Sequence, residues 1–243
     1  MLLGAVLEAA NVGCGGRVIG VAVIHRTGLI LDPVMWPQTA NLAQTGASFH
    51  QRGWSLGTSS NYSVVQGRDP LRLVITASGR DKGRLSPGDF LVIDEAGAAV
   101  DRGGNPDNRP SAEALLHVAA ARRPGVGAVL HTHSVWSTLL SDRHHADGGL
   151  WIEGYEMLKG LSGIATHEAR VRVEIFENTQ DIAALARQVE ARLVDSGDPI
   201  RHGYLIRRHG LYTWGKDLDE ARRHVEIFEF LFEVLVRKAT LLP

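Results

Sequence analysis

Two hydrophobic periods divide the chain. Runs with apolar residues every three or four positions predict helices over residues 37–52, 112–122, 179–194 and 217–238. Short apolar or alternating runs, bounded by Gly, Pro and Asp, predict strands over 62–65, 71–76, 90–93, 127–130, 170–176, 204–206 and 211–214. Helix punctuation fits several of these limits. Pro37 opens the first helix and Gly53 follows it, Ser111 and Thr179 stand as N-caps, and Pro124-Gly125 ends the second helix. In the last helix Asp217 and Glu220 have capping-box spacing. Its Leu218, Ala221, Val225, Phe228, Phe232 and Leu235 form one apolar stripe. The sum is a mixed α/β chain with a central sheet and flanking helices.

The first 34 residues read differently. Gly13, Gly15 and Gly16 precede the apolar run Val18 to Ile24, but Val18 stands where a dinucleotide fingerprint needs its third glycine. No basic segment precedes the run, so it makes a poor secretory signal. Three readings stay open: an extra strand, a disordered extension, or a mis-assigned start with Met35 as the true first residue. The expected organisation is an N-terminal extension over 1–34 and one domain over 35–243.

Composition narrows the function classes. Of 243 residues 26 are Lys or Arg and 27 are Asp or Glu, a net charge of −1 that offers no polyanion-binding surface, so nucleic acid is not an expected partner. Cys14 is the lone cysteine, which excludes an internal disulfide framework and fits a reducing compartment. No stretch approaches the roughly 20 apolar residues that span a bilayer, so the expectation is a cytoplasmic chain with no membrane partner.

The eleven histidines stand above background. In Ala128-Val129-Leu130-His131-Thr132-His133-Ser134 an apolar strand delivers two histidines two residues apart. Such residues share one face of a strand, so both imidazoles can meet one ion while Thr132 turns away. In Leu205-Ile206-Arg207-Arg208-His209-Gly210 a second apolar strand delivers a third histidine, beside a glycine that could admit a ligand near the backbone. Three imidazoles with an open position describe a catalytic zinc site rather than a closed structural one. The alternatives are unrelated polar residues at a strand end and a turn histidine. In Gly154-Tyr155-Glu156-Met157-Leu158-Lys159-Gly160, Glu156 and Lys159 have the spacing of neighbours on a helical turn. Glu156 could shuttle a proton and Lys159 could hold a phosphate, although taken alone an exposed salt-bridged pair describes them better.

These pieces carry a resemblance. Gly57-Thr58-Ser59-Ser60-Asn61-Tyr62-Ser63, Thr76-Ala77-Ser78-Gly79, Pro110-Ser111-Ala112-Glu113, His131-Thr132-His133-Ser134 and Arg208-His209-Gly210 resemble, in order, the motifs of the class II aldolase/adducin superfamily. The segments Arg52 to Thr58, Gly154 to Gly160, Ile175 to Asp181 and Arg207 to Gly215 are similar to its branch that dehydrates 5-methylthioribulose 1-phosphate in methionine salvage. The likeness covers about residues 40–240. It implies an α/β/α sandwich with a mainly antiparallel sheet, a homotetramer, and a small phosphorylated sugar as substrate. It implies one zinc ion per subunit held by His131, His133 and His209, with Glu156 as general acid/base. Asn61, Ser78, Gly79 and Ser111 match phosphate-binding positions, with Lys159 a weaker candidate. Glu113 matches the catalytic carboxylate of the aldolase branch, and here a group outside the metal's own ligand set is expected of it. One departure is Ser60, where the superfamily has glycine; a left-handed φ there would strain serine modestly. The rival readings are an aldolase or epimerase of the superfamily and a non-catalytic adducin-like domain.

Overall fold

The computed structural model describes residues 35–241, so the reading of residues 1–34 lies outside the described residues. Nine strands form one sheet: β1 (Asn61–Arg68), β2 (Leu71–Thr76), β3 (Phe90–Asp94), β4 (Ala99–Asp101), β5 (Ala128–Thr132), β6 (Gly149–Glu153), β7 (Arg170–Phe176), β8 (Gly203–Ile206) and β9 (Gly210–Gly215). Their spatial order is β4-β3-β2-β1-β5-β9-β8-β7-β6. Every neighbouring pair is antiparallel except β7 and β8. The helices are α1 (Met35–Gln51), α2 (Ala114–Ala121), α3 (Val135–Arg143), α4 (Ile182–Leu193) and α5 (Leu218–Leu241).

Strand alternation decides which helix each side chain meets. Leu73, Ile75, Val129 and Tyr212 join a core with Leu116, Ala120, Leu185 and Val189 from α2 and α4. Their chain neighbours Val74, Ala128 and Leu130 point to the other face and pack with Leu42 and Phe49 of α1 and Val225 of α5. Further along that face Leu205 and Leu211 meet Phe228, Leu231 and Phe232 of α5. The result is an α/β/α sandwich. The innermost strands β5 and β9 are buried along their whole length, which explains their near-continuous apolar runs.

Two helix starts differ from the sequence expectation for one reason. Helix α2 begins at Ala114, not 112, because the Ser111 hydroxyl accepts from the Glu113 amide (3.2 Å) and makes a turn before the helix. Helix α4 begins at Ile182, since Asp181 accepts from the Ala184 amide while Thr179 accepts from Asp181 one turn earlier. At α5 only half of the expected capping box forms: Asp217 accepts from the Glu220 amide (2.8 Å), and Glu220 turns back to the Lys216 amide (2.7 Å). The short edge strand β4, strand β6 and helix α3 carry no counterpart in the sequence reading. Among the described residues no helix is long and apolar enough to cross a membrane.

Candidate metal centre

Pairing of β5 with β9 sets His131 against Tyr212 and Thr132 against Leu211 at one end of the sheet. His131 therefore continues the face of Val129, toward α2, and Thr132 continues the face of Leu130, toward α5. His133 leaves the strand, its amide held by the Trp54 carbonyl (2.8 Å). The third histidine arrives on a tight hairpin. Ile206 pairs with Gly210, and between them Arg208 adopts φ +52, with its amide donating to the Ser141 hydroxyl (3.0 Å). The role expected of Gly210 is corrected here. A Cβ on Gly210 would sit 1.9 Å from the Thr132 carbonyl oxygen, so glycine is needed for β9 to close on β5, not to admit a ligand.

The three imidazoles converge through Nε2. His131 and His133 are 2.7 Å apart by those atoms, His131 and His209 3.3 Å, and His133 and His209 3.1 Å. Ligands at about 2.1 Å in a tetrahedral zinc shell would lie about 3.4 Å from one another. His131 Nδ1 donates to the Leu211 carbonyl (2.8 Å), which leaves Nε2 as a bare lone pair aimed at the cluster. Its ring lies flat on Tyr212, centroids 3.9 Å apart, and Tyr212 in turn stacks on Tyr204. Burial keeps His131 and His133 neutral: it holds His131 well below the usual imidazole range, and with the neighbouring His209 it lowers His133 to about 4. Converging imidazole nitrogens at this spacing are a donor set for a divalent cation, and these three are a group able to hold one.

Glu113 completes the cluster from the α2 side. One of its oxygens lies 3.0 Å from His209 Nε2 and the other 3.7 Å from His131 Nε2. Burial alone would raise this carboxyl, but the His209 hydrogen bond and the His131 charge hold it well below the usual carboxylate range. The group able to hold a metal comprises the three histidines alone, with Glu113 beside two of them.

Behind Glu113 runs a chain that sequence reasoning missed. Asn61 donates to Glu113 (2.8 Å) and to Ser111 (3.3 Å), and its carbonyl accepts from His117 Nε2. The other ring nitrogen of His117 accepts from the Ser63 hydroxyl (2.8 Å). His117 is wholly buried on α2, where the apolar stripe has no reason to hold an imidazole; that misfit was the available signal.

Asn61, Ser78, Gly79 and Ser111 line a cavity of about 140 Å³ together with Glu113 and His133. The Gly79 amide sits in the left-handed region (φ +73), as does Ser60 (φ +71), so the strain expected of Ser60 is present. The Ser78 amide is spent on the Arg109 carbonyl (2.9 Å). Lys82 was also missed. Its buried ammonium donates to the Arg80 carbonyl (2.6 Å) and the Thr58 carbonyl (3.4 Å), and burial lowers it to about 8, so it remains mostly cationic at neutral pH. Thr58 lines the same cavity, which brings a positive charge beside it.

Glu156 and Lys159 are not brought to this cluster within one chain. They occupy a short exposed 3-10 turn (Glu156–Gly160), paired with each other at 2.7 Å, and Glu156 also faces His167 (3.7 Å). The turn follows Glu153, which pairs with Arg170 at the start of β7, whereas Ile206, just before His209, pairs with Phe176 at the end of β7. The turn thus follows the end of β6 opposite the histidines.

The comparisons agree with this geometry. Residues 40–236 match the family model described as Class II Aldolase and Adducin N-terminal domain. A methylthioribulose-1-phosphate dehydratase of Marinobacter nauticus is 48% identical over 194 residues, 79% of this chain and 89% of that protein. One from Pseudomonas syringae pv. tomato is 46% identical over 202 residues, 83% of this chain and 95% of that protein. Among solved structures, L-fuculose-1-phosphate aldolase from Thermus thermophilus shares the fold with a TM-score of 0.65 at 22% identity, covering 85% of this chain and 97% of that one. An aldolase II superfamily protein from Pseudomonas syringae does so at 0.67 and 20%, covering 87% and 78%. The three-histidine hairpin arrangement, the sandwich that carries it and these likenesses lead to one assignment: the chain belongs to the class II aldolase and adducin family, and within it to the methylthioribulose-1-phosphate dehydratases.

Proposed function

We propose that this chain is a zinc-dependent hydro-lyase that removes water from 5-methylthioribulose 1-phosphate to give 2,3-diketo-5-methylthiopentyl 1-phosphate. The observation that carries the reading is the meeting of three Nε2 lone pairs and the Glu113 carboxylate beside a small polar cavity. The difficult step is loss of a proton from carbon next to a ketone. His131, His133 and His209 would hold the zinc ion, and when bound it would supply Lewis acidity to that ketone, worth several kcal/mol. His131 keeps its donor orientation through Leu211 and Tyr212, so the lone pair costs no rearrangement when it is used. The Gly79 amide, the Ser78 and Ser111 hydroxyls and the nearby Lys82 charge suit a phosphate in the small cavity, fixing the carbon chain relative to the metal. Glu113, held by Asn61, faces His209 and His131 and would steady those rings beside the cavity.

Glu156 remains the proposed general acid/base, acting from a neighbouring copy in a homotetramer. Two observations support an assembly. Glu156 is 72% exposed and away from its own histidines. Val135, Leu139 and Trp151 leave apolar surface uncovered, the last two lining a groove of about 1030 Å³ with Leu150, Leu235 and Val236.

The test is turnover of 5-methylthioribulose 1-phosphate and of L-fuculose 1-phosphate by one zinc-loaded preparation. Dehydration of the first with no cleavage of the second is expected. Cleavage of the second without dehydration would move the chain to the aldolases.

A further inference from the structure

The residue between the two strand histidines is tied to the other side of the sheet. Thr132 is fully buried, and its hydroxyl donates to Glu229 Oε1 at 3.0 Å. Glu229 lies in the middle of α5 and is 1% exposed. Its place in the sequence is anomalous. Val225, Phe228 and Phe232 surround it on the apolar stripe that the helix turns to the sheet, and the stripe reserves that position for another hydrophobic residue. Its second oxygen, Oε2, has no hydrogen-bond partner. The Ser134 hydroxyl lies beside the carboxyl too, within reach of both it and the Ser137 hydroxyl (3.1 Å). No cation pairs with it among the described residues. Burial accordingly pushes the carboxyl up to about 7.

A buried, half-satisfied carboxyl is a cost that leucine or methionine would avoid. It stands where it can do one thing: hold the back of the His131-Thr132-His133 tripeptide. Alternation along β5 sends His131 to the α2 face and Thr132 to the α5 face, so a pull on Thr132 sets the rotation of the strand end and with it both imidazoles. Ser134, next along, caps α3 by accepting from the Ser137 amide (3.0 Å), so the segment is fixed on both sides of His133. Groups behind metal ligands that fix their orientation commonly matter 10–100-fold to metal affinity or activity.

We infer that Glu229 is a positioning residue for the metal centre: through the Thr132 hydroxyl its carboxyl anchors the strand end that presents His131 and His133. It touches neither substrate nor metal. The inference rests on the three-histidine reading of the metal site.

The experiment compares wild type with Glu229→Gln, Glu229→Met, Thr132→Val and the Glu229→Met/Thr132→Val double variant. Zinc affinity is read by competition with a chromogenic chelator, and the visible spectrum is recorded after cobalt(II) replacement. Glu229→Gln keeps an acceptor for Thr132 and should bind zinc within about 3-fold of wild type. Glu229→Met should bind roughly 10–100-fold more weakly, with an altered cobalt spectrum. Thr132→Val should lose a comparable factor, and the double variant should lose no more than the worse single, since one tie is being cut. Glu229→Met with wild-type zinc affinity and cobalt spectrum would overturn the inference, whatever its thermal stability. Additive losses in the double variant would do the same. A wild-type chain that binds no zinc would instead overturn the metal-site reading beneath it.

Discussion

Two histidine clusters lie at opposite ends of the sheet. At one end are His131, His133 and His209. At the other, near Gly215 and the start of α5, His202 and His224 sit with ring centroids 5.9 Å apart. Both clusters are substantially buried, and burial lowers the pKa values of His131 and His133 in one and of both rings in the other. Their hydrogen bonds differ. His224 Nδ1 donates to the Trp214 carbonyl (2.7 Å), its Nε2 accepts from the Ser162 amide (3.1 Å), and the Ser162 hydroxyl donates to Glu220 (2.5 Å). His202 Nε2 donates to the Ser162 carbonyl (2.7 Å). His224 Nε2 also faces the Ser162 hydroxyl (3.0 Å), but that hydroxyl gives its proton to Glu220, so Ser162, His224 and Glu220 stand together without forming a nucleophilic triad. In the first cluster the three Nε2 atoms face one another and the Glu113 carboxylate, and no backbone group takes them up. Converging bare lone pairs mark a ligand site, and matched donors and acceptors mark a scaffold.

Removing a ligand should have the largest effect. His131→Ala should lose stoichiometric zinc and at least about three orders of magnitude in turnover while the chain stays folded; full zinc content would remove His131 from the ligand set. Glu156→Gln comes next, with zinc retained and kcat lower by roughly 10²–10⁴. If Glu156 acts on a neighbour's substrate, co-expressed His131→Ala and Glu156→Gln chains should regain roughly a quarter of wild-type turnover, from interfaces that pair two intact residues. No regain from mixed assemblies would assign Glu156 to its own chain or to none.

The scaffold cluster should respond in the opposite way. His224→Ala should cost roughly 1–3 kcal/mol in urea unfolding, because two buried backbone groups lose their partner. Zinc content and kcat/KM per folded molecule should stay within about 2-fold, and a large loss of zinc would erase the contrast between the clusters. The smallest effect concerns pH. Burial lowers His117 from 6.5 to about 4, so its folded form resists protonation that the unfolded chain accepts. The stability it confers is complete above 6.5 and is lost as pH falls toward 4, on the order of 3 kcal/mol. Metal-free protein should show in urea titrations a decline over that range, to which the buried His131, His133, His202 and His224 also contribute, and His117→Gln should lessen its slope; an unchanged slope would mean that His117 takes no part in it.

Much of this was legible in the chain. Strand period set His131 and Thr132 on opposite faces, while His133, expected on the same strand, lies just past its end and is placed by the tie of its amide to Trp54. The five motifs fixed their order and hence the family. Less legible were groups whose meaning depends on distant packing. His117 and Glu229 are each a polar residue among apolar neighbours, whereas Lys82 sits in a charged run (Arg80, Asp81, Arg84) that gives no hint of its burial; only the fold brings the three to Asn61, Thr132 and Thr58. Helix α3 and strand β6 escaped because both mix polar and apolar residues without clean period. The early hydroxyls at Ser111 and Thr179 shifted two helix starts, since each makes a turn of its own. Glu156 is the reverse case: its motif is plain in sequence, and a single chain does not bring it to the histidines.

The most direct test is to measure zinc content and release of water from 5-methylthioribulose 1-phosphate on one purified sample, before and after chelation. The account predicts one zinc per chain, dehydration that chelation abolishes, and recovery when zinc is restored. A chain that takes up no zinc at neutral pH, or that dehydrates the substrate equally well without metal, would contradict it.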